Sequence, residues 1–270
     1  MTRKQFISSA SAAIAGLASP ALAAGKRPFR AALVKGGDFF AAEKASALKA
    51  RFASGGFNVA LVDVQDSIAY PSHPEIATKN SMATAKAESI VSEWRSKGVD
   101  VVPLLDFTSC WDSWLGVYDR MICSKPYDKV VRDLIRDAYG IFGSPEYIHI
   151  GFSNEDQENH KTDELKVMRQ GDLWMRYLIR TSGWVKETGA KTWAWFDYPW
   201  GMKDFLLDCP KDILYTNFKS FSNKRTANTF LQVVRHGCDV APFVKEKQDE
   251  AFVAKYPAKQ VRGTVKEVSV

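Results

Sequence analysis

Eight short apolar runs recur along the chain, most of them separated by stretches with helical spacing. The first spans residues 29–34 (FRAALV) and ends in Lys35-Gly36-Gly37-Asp38. Further runs of strand character lie at 57–63, 99–106, 147–152, 190–197 and 212–217, with weaker ones at 238–243 and 261–265. Helices are predicted at 41–53, 83–97, 126–139, from a Thr162-Asp163 cap towards Thr188, at 224–236 and at 249–255. The pattern is clearest in the third of these, where Val130, Val131, Leu134, Ile135 and Ala138 follow i, i+3, i+4 spacing. Gly55-Gly56, Gly98, Gly189 and Gly237 supply the stops. Pro103 inside the third run weakens it as a central strand, because proline cannot donate to a ladder. A long irregular segment, 107–127, separates that run from the next helix, and loops of this length are often functional.

Strands alternating with helices build a parallel sheet. Eight of them favour closure over an open, doubly wound sheet. The expected fold is therefore an α/β, (β/α)8 TIM-like barrel formed by residues 26–270. The chain ends soon after the eighth run, so the last barrel helix is missing or degenerate. In such a barrel the chemistry gathers where strands end at the C-terminal face. Neither GxGxxG nor GxxxxGK[ST] occurs, which removes the usual nucleotide signatures.

Residues 1–25 do not belong to that barrel. A short basic start, a small-residue apolar segment at 6–19 and an A-x-A site after Ala23 read as an export signal. Thr2-Arg3-Lys4-Gln5-Phe6-Ile7 is similar to the twin-arginine consensus, with lysine in the second basic position. The expected location is periplasmic or secreted. No other stretch is apolar enough over sufficient length to cross a membrane as a helix. The net charge is +6, from 37 basic and 31 acidic residues, and falls to +4 once Arg3 and Lys4 are removed. The basic residues do not cluster, so no nucleic-acid partner is expected. Cys110, Cys123, Cys209 and Cys238 show no CxxC and no Cys/His metal spacing, so no metal and no cofactor are expected. Cys110 and Cys123 flank the long loop; free thiols are the default reading and a disulfide between them the alternative.

Residues 146–160 (EYIHIGFSNEDQENH) form the stretch most suggestive of chemistry, an apolar strand ending in a burst of carboxylates and amides. The other strand ends contribute Lys35, Asp38, Asp63, Asp66, Asp106, Asp197 and Asn217, with Tyr70, Trp111, Trp114, Trp195 and Trp200 nearby. Carboxylates walled by aromatic faces suit glycoside cleavage. One acid protonates the leaving oxygen, and a second attacks, activates water or stabilises the cationic centre. On this reading Glu155 is the general acid and Asp197 its first-choice partner, ahead of Asp156, Asp63 and Asp106. His149 and Asn154 orient substrate or acid. Trp111, Trp114 and Trp200 line sugar subsites, and Asp63, Asp106 and Asn217 complete the binding set. The same residues admit plainer roles. Asp63, Asp106 and Asp197 suit caps and turns. His149 suits a buried structural histidine, Glu155 and Asp156 a solvated loop, and one of Trp193 and Trp195 the core.

The segment His149-Ile150-Gly151 resembles the strand-four motif His-x-Gly-x-Asp-Glu of the β-N-acetylhexosaminidases of glycoside hydrolase family 20. Residues 28–265 also resemble a group of exported bacterial barrel proteins, through Trp114-Leu-Gly-x-Tyr118-x-Arg-Met121, the Pro126 helix with Asp133-Leu-Ile, and the Phe142-Gly-x-Pro turn. The resemblance implies a TIM barrel acting on a glycan. In register, the family's acid pair falls on Ser153-Asn154, and only the following Glu155 is acidic. Asn154-Glu155 is also similar to a strand-four pair of another glycosidase clan, whose nucleophile ends strand seven, where this chain offers only Glu246. Three readings follow: a glycoside hydrolase, a sugar-binding barrel that has lost catalysis, and a metal-assisted hydrolase or lyase using Asp63, His149 and Glu155.

Overall fold

The computed structural model describes residues 28–153, 155, 166–197, 209–255 and 259–270. The export signal at 1–25 and the candidate residues Asn154, Asp156 and Trp200 lie outside the described residues. Among the described residues no helix is long and apolar enough to cross a membrane.

The eight strands are β1 (Phe29–Lys35), β2 (Val59–Asp63), β3 (Asp100–Leu104), β4 (Tyr147–His149), β5 (Lys191–Trp195), β6 (Ile213–Thr216), β7 (Asp239–Val240) and β8 (Gly263–Glu267). Each matches one of the eight apolar runs. All pair in parallel, in the order β7-β6-β5-β4-β3-β2-β1-β8. The ring is nearly closed, with an unsealed seam between β7 and β8. Isolated bridges join Val240 to Val261 and Phe243 to Val265, supported by Val240 N–H to Gln260 O (2.9 Å) and Val244 N–H to Val265 O (2.8 Å). This is the TIM-like barrel expected from the sequence. No helix after β8 appears among the described residues.

Strand alternation divides the apolar residues into two cores. Phe29, Ala31, Val59, Leu61, Val102, Leu104, Trp193, Trp195, Leu214, Phe243 and Val265 fill the barrel. The opposite faces pack against the helices in a larger outer layer, including Val34, Val62, Ile148, Ala194 and Tyr215. Two neighbouring tryptophans of β5 inside the barrel explain part of the generous aromatic content.

Pro103 sits within β3, paired with Val62. The Leu105 and Phe107 amides, two and four residues on, bond towards β4 at His149 O and Ile150 O (both 2.9 Å). The missing Pro103 N–H therefore belongs on the β4 side. There the β3–β4 register is a single pair, Leu104 with His149, so the proline removes little. The helix before β5 runs Asp172–Thr188; the predicted Thr162-Asp163 cap lies outside the described residues. Lys166 and Arg169 are held by Asp112 and Glu155, and Gly171 enters the helix at φ 56°.

Candidate active site

Continuing the inward-facing alternation past the strand ends reaches Lys35, Asp63, Asp106, Gly151 and Asp197 at the C-terminal mouth. Gly151 has φ +80°, and a Cβ there would lie 2.1 Å from Asp106 Oδ1 and 2.6 Å from Asp106 Cα. Only glycine allows the ends of β3 and β4 to approach this closely. Asp106 itself has φ 37°. Its Oδ1 accepts from Thr108 Oγ1 (2.5 Å) and Thr108 N–H (3.2 Å).

Asp63 and Asp106 form an interacting carboxylate pair. Burial, then the neighbouring Asp106 charge, pushes Asp63 up to about 7, while Gln65 and Lys35 pull against it. Burial pushes Asp106 to about 6, restrained by its Thr108 hydrogen bonds and the nearby Trp195 indole N–H. Asp63 Oδ1 is buried and has no hydrogen-bond partner among the described residues.

His149 and Trp195 form the floor beneath this pair. Their rings lie 4.4 Å apart, centroid to centroid, with Trp193 at 5.6 Å from His149 and Phe218 at 5.4 Å from Trp195. His149 is fully buried, and burial holds its pKa well below the usual imidazole value. The Gly151 amide donates to His149 Nδ1 (3.1 Å). The neutral ring therefore carries its proton on Nε2, and that N–H has no partner among the described residues.

Glu155 points inward and is fully buried, but it is not free. Arg169 Nη2 donates at 2.5 Å, Arg169 Nε at 3.1 Å and the Arg169 amide at 2.9 Å. The Ser109 amide adds a bond at 2.9 Å. The guanidinium is itself sealed over Phe152, 4.7 Å from the ring centre, and donates to Phe107 O. Glu155 thus fastens the loop after β3 to that after β4. Ser153, where the family acid pair begins, donates its amide to Thr108 Oγ1 (2.8 Å) in the same seam. Next to it, Lys166 bonds buried Asp112 and Asp119, both at 3.2 Å.

Asp197 takes the turn role that the sequence left open, and Asn217, read from sequence as a binding residue, makes structural bonds. Asp197 accepts from the Phe218 amide and from the Lys219 amide at 3.1 Å, tying the end of β5 to the turn after β6. Burial still pushes it up to about 6. Asn217 donates to Lys219 O and Phe243 O (both 2.9 Å) and accepts from Phe243 N–H (2.8 Å), so its amide is committed to joining β6 and β7. Trp114 is nearly buried, with Nε1 3.4 Å from Asp106 O and its ring beside Tyr70 and Phe107. It walls the site from behind. Trp111, 46% exposed, is the described candidate tryptophan with a face open to solvent. Sequence reasoning missed Arg169 and Thr108. Arg169 lay in a stretch read as helix, where nothing marked it as the partner of Glu155.

Asp63, His149 and Glu155 do not assemble into a ligand set, and no group of three potential ligands for a metal occurs among the described residues.

Comparison with solved structures places this geometry in context. The N-acetyl-β-hexosaminidase of Streptomyces plicatus, in complex with Thio-NAglucal, superposes with a TM-score of 0.65 at 15% identity, covering 90% of this chain and 58% of that one. The fold is that of the family 20 hexosaminidases. The Vibrio harveyi family 20 exo-β-N-acetylglucosaminidase, in complex with N-acetylglucosamine, gives 0.65 at 12% identity, covering 90% and 50%. Dispersin B gives 0.60 at 13% identity, covering 90% and 92%. The chain thus spans only half to three-fifths of the length of the first two, but nearly all of the third. No family model and no curated protein sequence matches it.

Proposed function

We propose that this chain is a carbohydrate-active, glycoside hydrolase-like barrel whose C-terminal mouth takes a sugar ring beside Asp63 and Asp106 and exchanges protons through them. One observation carries the reading. Two buried polar atoms, Asp63 Oδ1 and His149 Nε2, lie at or beneath the mouth without partners among the described residues. Buried polar groups left unmatched by protein call for an explanation, and a ligand's polar groups at the mouth supply one here. Family 20 neighbours whose titles record N-acetylglucosamine or Thio-NAglucal share the fold, which supports an N-acetylhexosaminide as the first substrate class to test.

The proton donor in this reading is Asp63 rather than Glu155. A general acid needs a proton near neutral pH and an acceptor within reach. Asp63, pushed up to about 7, holds one, whereas Glu155 meets only donors from Arg169 and Ser109. Asp106, lower at about 6, is the carboxylate that charges first. It stabilises the developing positive centre or activates water. Two carboxyls pushed apart by their surroundings divide acid and base work in this way. Export through the twin-arginine-like leader fits an enzyme acting on polymeric glycan outside the cytoplasm.

The test is hydrolysis of a panel of aryl β-glycosides that includes the N-acetylglucosaminide, by the wild type and by Asp63→Asn and Asp106→Asn. Each variant is expected to lose on the order of 10²- to 10⁴-fold in kcat. Full activity in Asp63→Asn would reject the assignment. A second reading is sugar binding without turnover, favoured by Ser153 in the family acid position and by the engagement of Glu155. Calorimetric binding of N-acetylglucosamine together with a silent panel selects it.

A further inference from the structure

The geometry points to a disulfide between Cys209 and Cys238 that locks the start of β6 to the start of β7, at the end of the barrel opposite the proposed site. The two sulfurs lie 3.7 Å apart, separated by 29 positions in sequence. Both side chains are buried in the outer layer, and both are thiols in the structure.

Their surroundings hold them face to face. Cys238 follows Gly237, whose left-handed φ of 92° ends the helix Lys224–His236, and its amide bonds Val233 O at 3.2 Å. Leu214 pairs with Asp239 in the β6–β7 ladder, which sets Cys238 level with the first residue of β6. On the other side, the Cys209 thiol donates to Tyr215 Oη at 3.2 Å, and that hydroxyl donates to Pro210 O at 3.1 Å. A disulfide has its sulfurs about 2.05 Å apart, so bonding needs an approach of under ~2 Å, within reach of two side-chain rotations. Cys110 and Cys123, for which free thiols are the default reading from sequence, are also thiols.

The chemistry is thiol–disulfide exchange with an oxidised dithiol protein or oxidised glutathione. The Cys238 thiolate attacks one sulfur of the oxidant, breaking its S–S bond and releasing one thiolate. Cys209, losing its proton, attacks Cys238 Sγ, forms the new S–S bond and expels the second thiolate. The two cysteines lose two protons and two electrons, and the oxidant gains them. Because both sulfurs are buried, exchange takes place during folding, before the outer layer closes.

The full chain is refolded from the reduced, denatured state in a glutathione redox buffer, then alkylated and mapped by mass spectrometry. The expected result is a peptide pair linked through Cys209 and Cys238, two hydrogens lighter than the thiol form. Its Tm should lie on the order of ~5–10 °C above that of the reduced protein, as expected for closing a loop of this size. Cys209→Ala and Cys238→Ala should abolish the Tm difference between oxidising and reducing conditions. Alkylation of both thiols after oxidative refolding would overturn the proposal, as would a linkage confined to Cys110 and Cys123.

Discussion

Glu155 and Arg169 form a buried, forked ion pair, with guanidinium nitrogens 2.5 and 3.1 Å from Glu155 Oε1 and the Arg169 amide 2.9 Å from Oε2. One residue thus supplies both a charge and a backbone donor to the same carboxylate. The pair converts the conspicuous acid of the strand-four loop into a fastener. It also places Ser109 and Thr108, from the loop after β3, against the loop after β4.

Removing one partner leaves the other charge buried and unmatched. Arg169→Met is expected to lower stability by about 3–5 kcal/mol, read as a shift in the denaturant midpoint. Glu155→Gln should fall in the same direction, with activity lost only as far as the fold is lost. A Glu155→Gln protein of wild-type stability with no residual turnover would return Glu155 to the role of catalytic acid.

Asp63 gives stability a definite pH dependence. Its pKa is raised from an ordinary 3.8 to about 7, so between those values the folded protein holds a proton that the unfolded chain has released. The contribution of this group is full below about 4, declines as pH rises, and is lost above about 7. Asp63→Asn removes the carboxylate. It should therefore be more stable than wild type at pH 8 by about 1–3 kcal/mol, once the full shift of ~1.4 kcal/mol per unit is discounted for partial exposure. Near pH 4 the gain should vanish. Equal stabilities at pH 8 would contradict the burial of this carboxyl.

Gly151→Ala tests the close approach at the mouth. The new Cβ meets the Asp106 backbone as well as its carboxylate, and the left-handed φ is unfavourable for alanine. A loss of about 2–4 kcal/mol is expected, together with weaker sugar binding as Asp106 is displaced. Thermal unfolding and calorimetry on the same sample separate the two effects. A stable variant with intact binding would show that Asp106 can move without consequence.

Asn217 holds β6 to β7 with three hydrogen bonds. Asn217→Ala strands two carbonyls and an amide in the interior, for a loss of about 2–4 kcal/mol. Asn217→Asp should be worse, since a carboxylate offers no donor to Phe243 O or Lys219 O. If Asn217→Asp keeps the wild-type unfolding midpoint, this clip is not what secures the weak β7 edge.

The barrel was legible because most strands are buried apolar runs and four helices stop at or next to a glycine, both local signals. The site was legible only as a set of candidates. Asp63, Asp106 and Asp197 look alike in sequence, each an aspartate ending a strand. What separates them is which amides lie opposite. Asp197 faces those of Phe218 and Lys219, contributed by another strand's turn, whereas Asp63 keeps an oxygen without a partner. The sign of Glu155's role depends on Arg169, 14 positions away in a stretch whose spacing suggested helix. Sequence spacing does not encode such tertiary pairing, and a carboxylate's function turns on it.

His149 supplies a last test, because its titration opposes that of Asp63. Burial lowers its pKa well below the ordinary 6.5. The unfolded chain therefore takes up a proton below about 6.5 that the folded ring refuses. The group's stabilising contribution is complete above that pH and is lost progressively as pH falls below it. His149→Phe retains an aromatic ring beside Trp195 and removes the titration. It also removes the Nδ1 acceptor of the Gly151 amide, which costs about 1–3 kcal/mol at every pH. At pH 8 the variant should therefore be less stable than wild type. At pH 5 the gap should narrow, because only wild type incurs the protonation penalty. Urea midpoints for both proteins across this range read the difference directly. Parallel curves from pH 8 to pH 5 would mean that the ring is hydrated or charged in the folded protein, and that the floor beneath Asp63 and Asp106 is more open than the packing of His149 on Trp195 indicates.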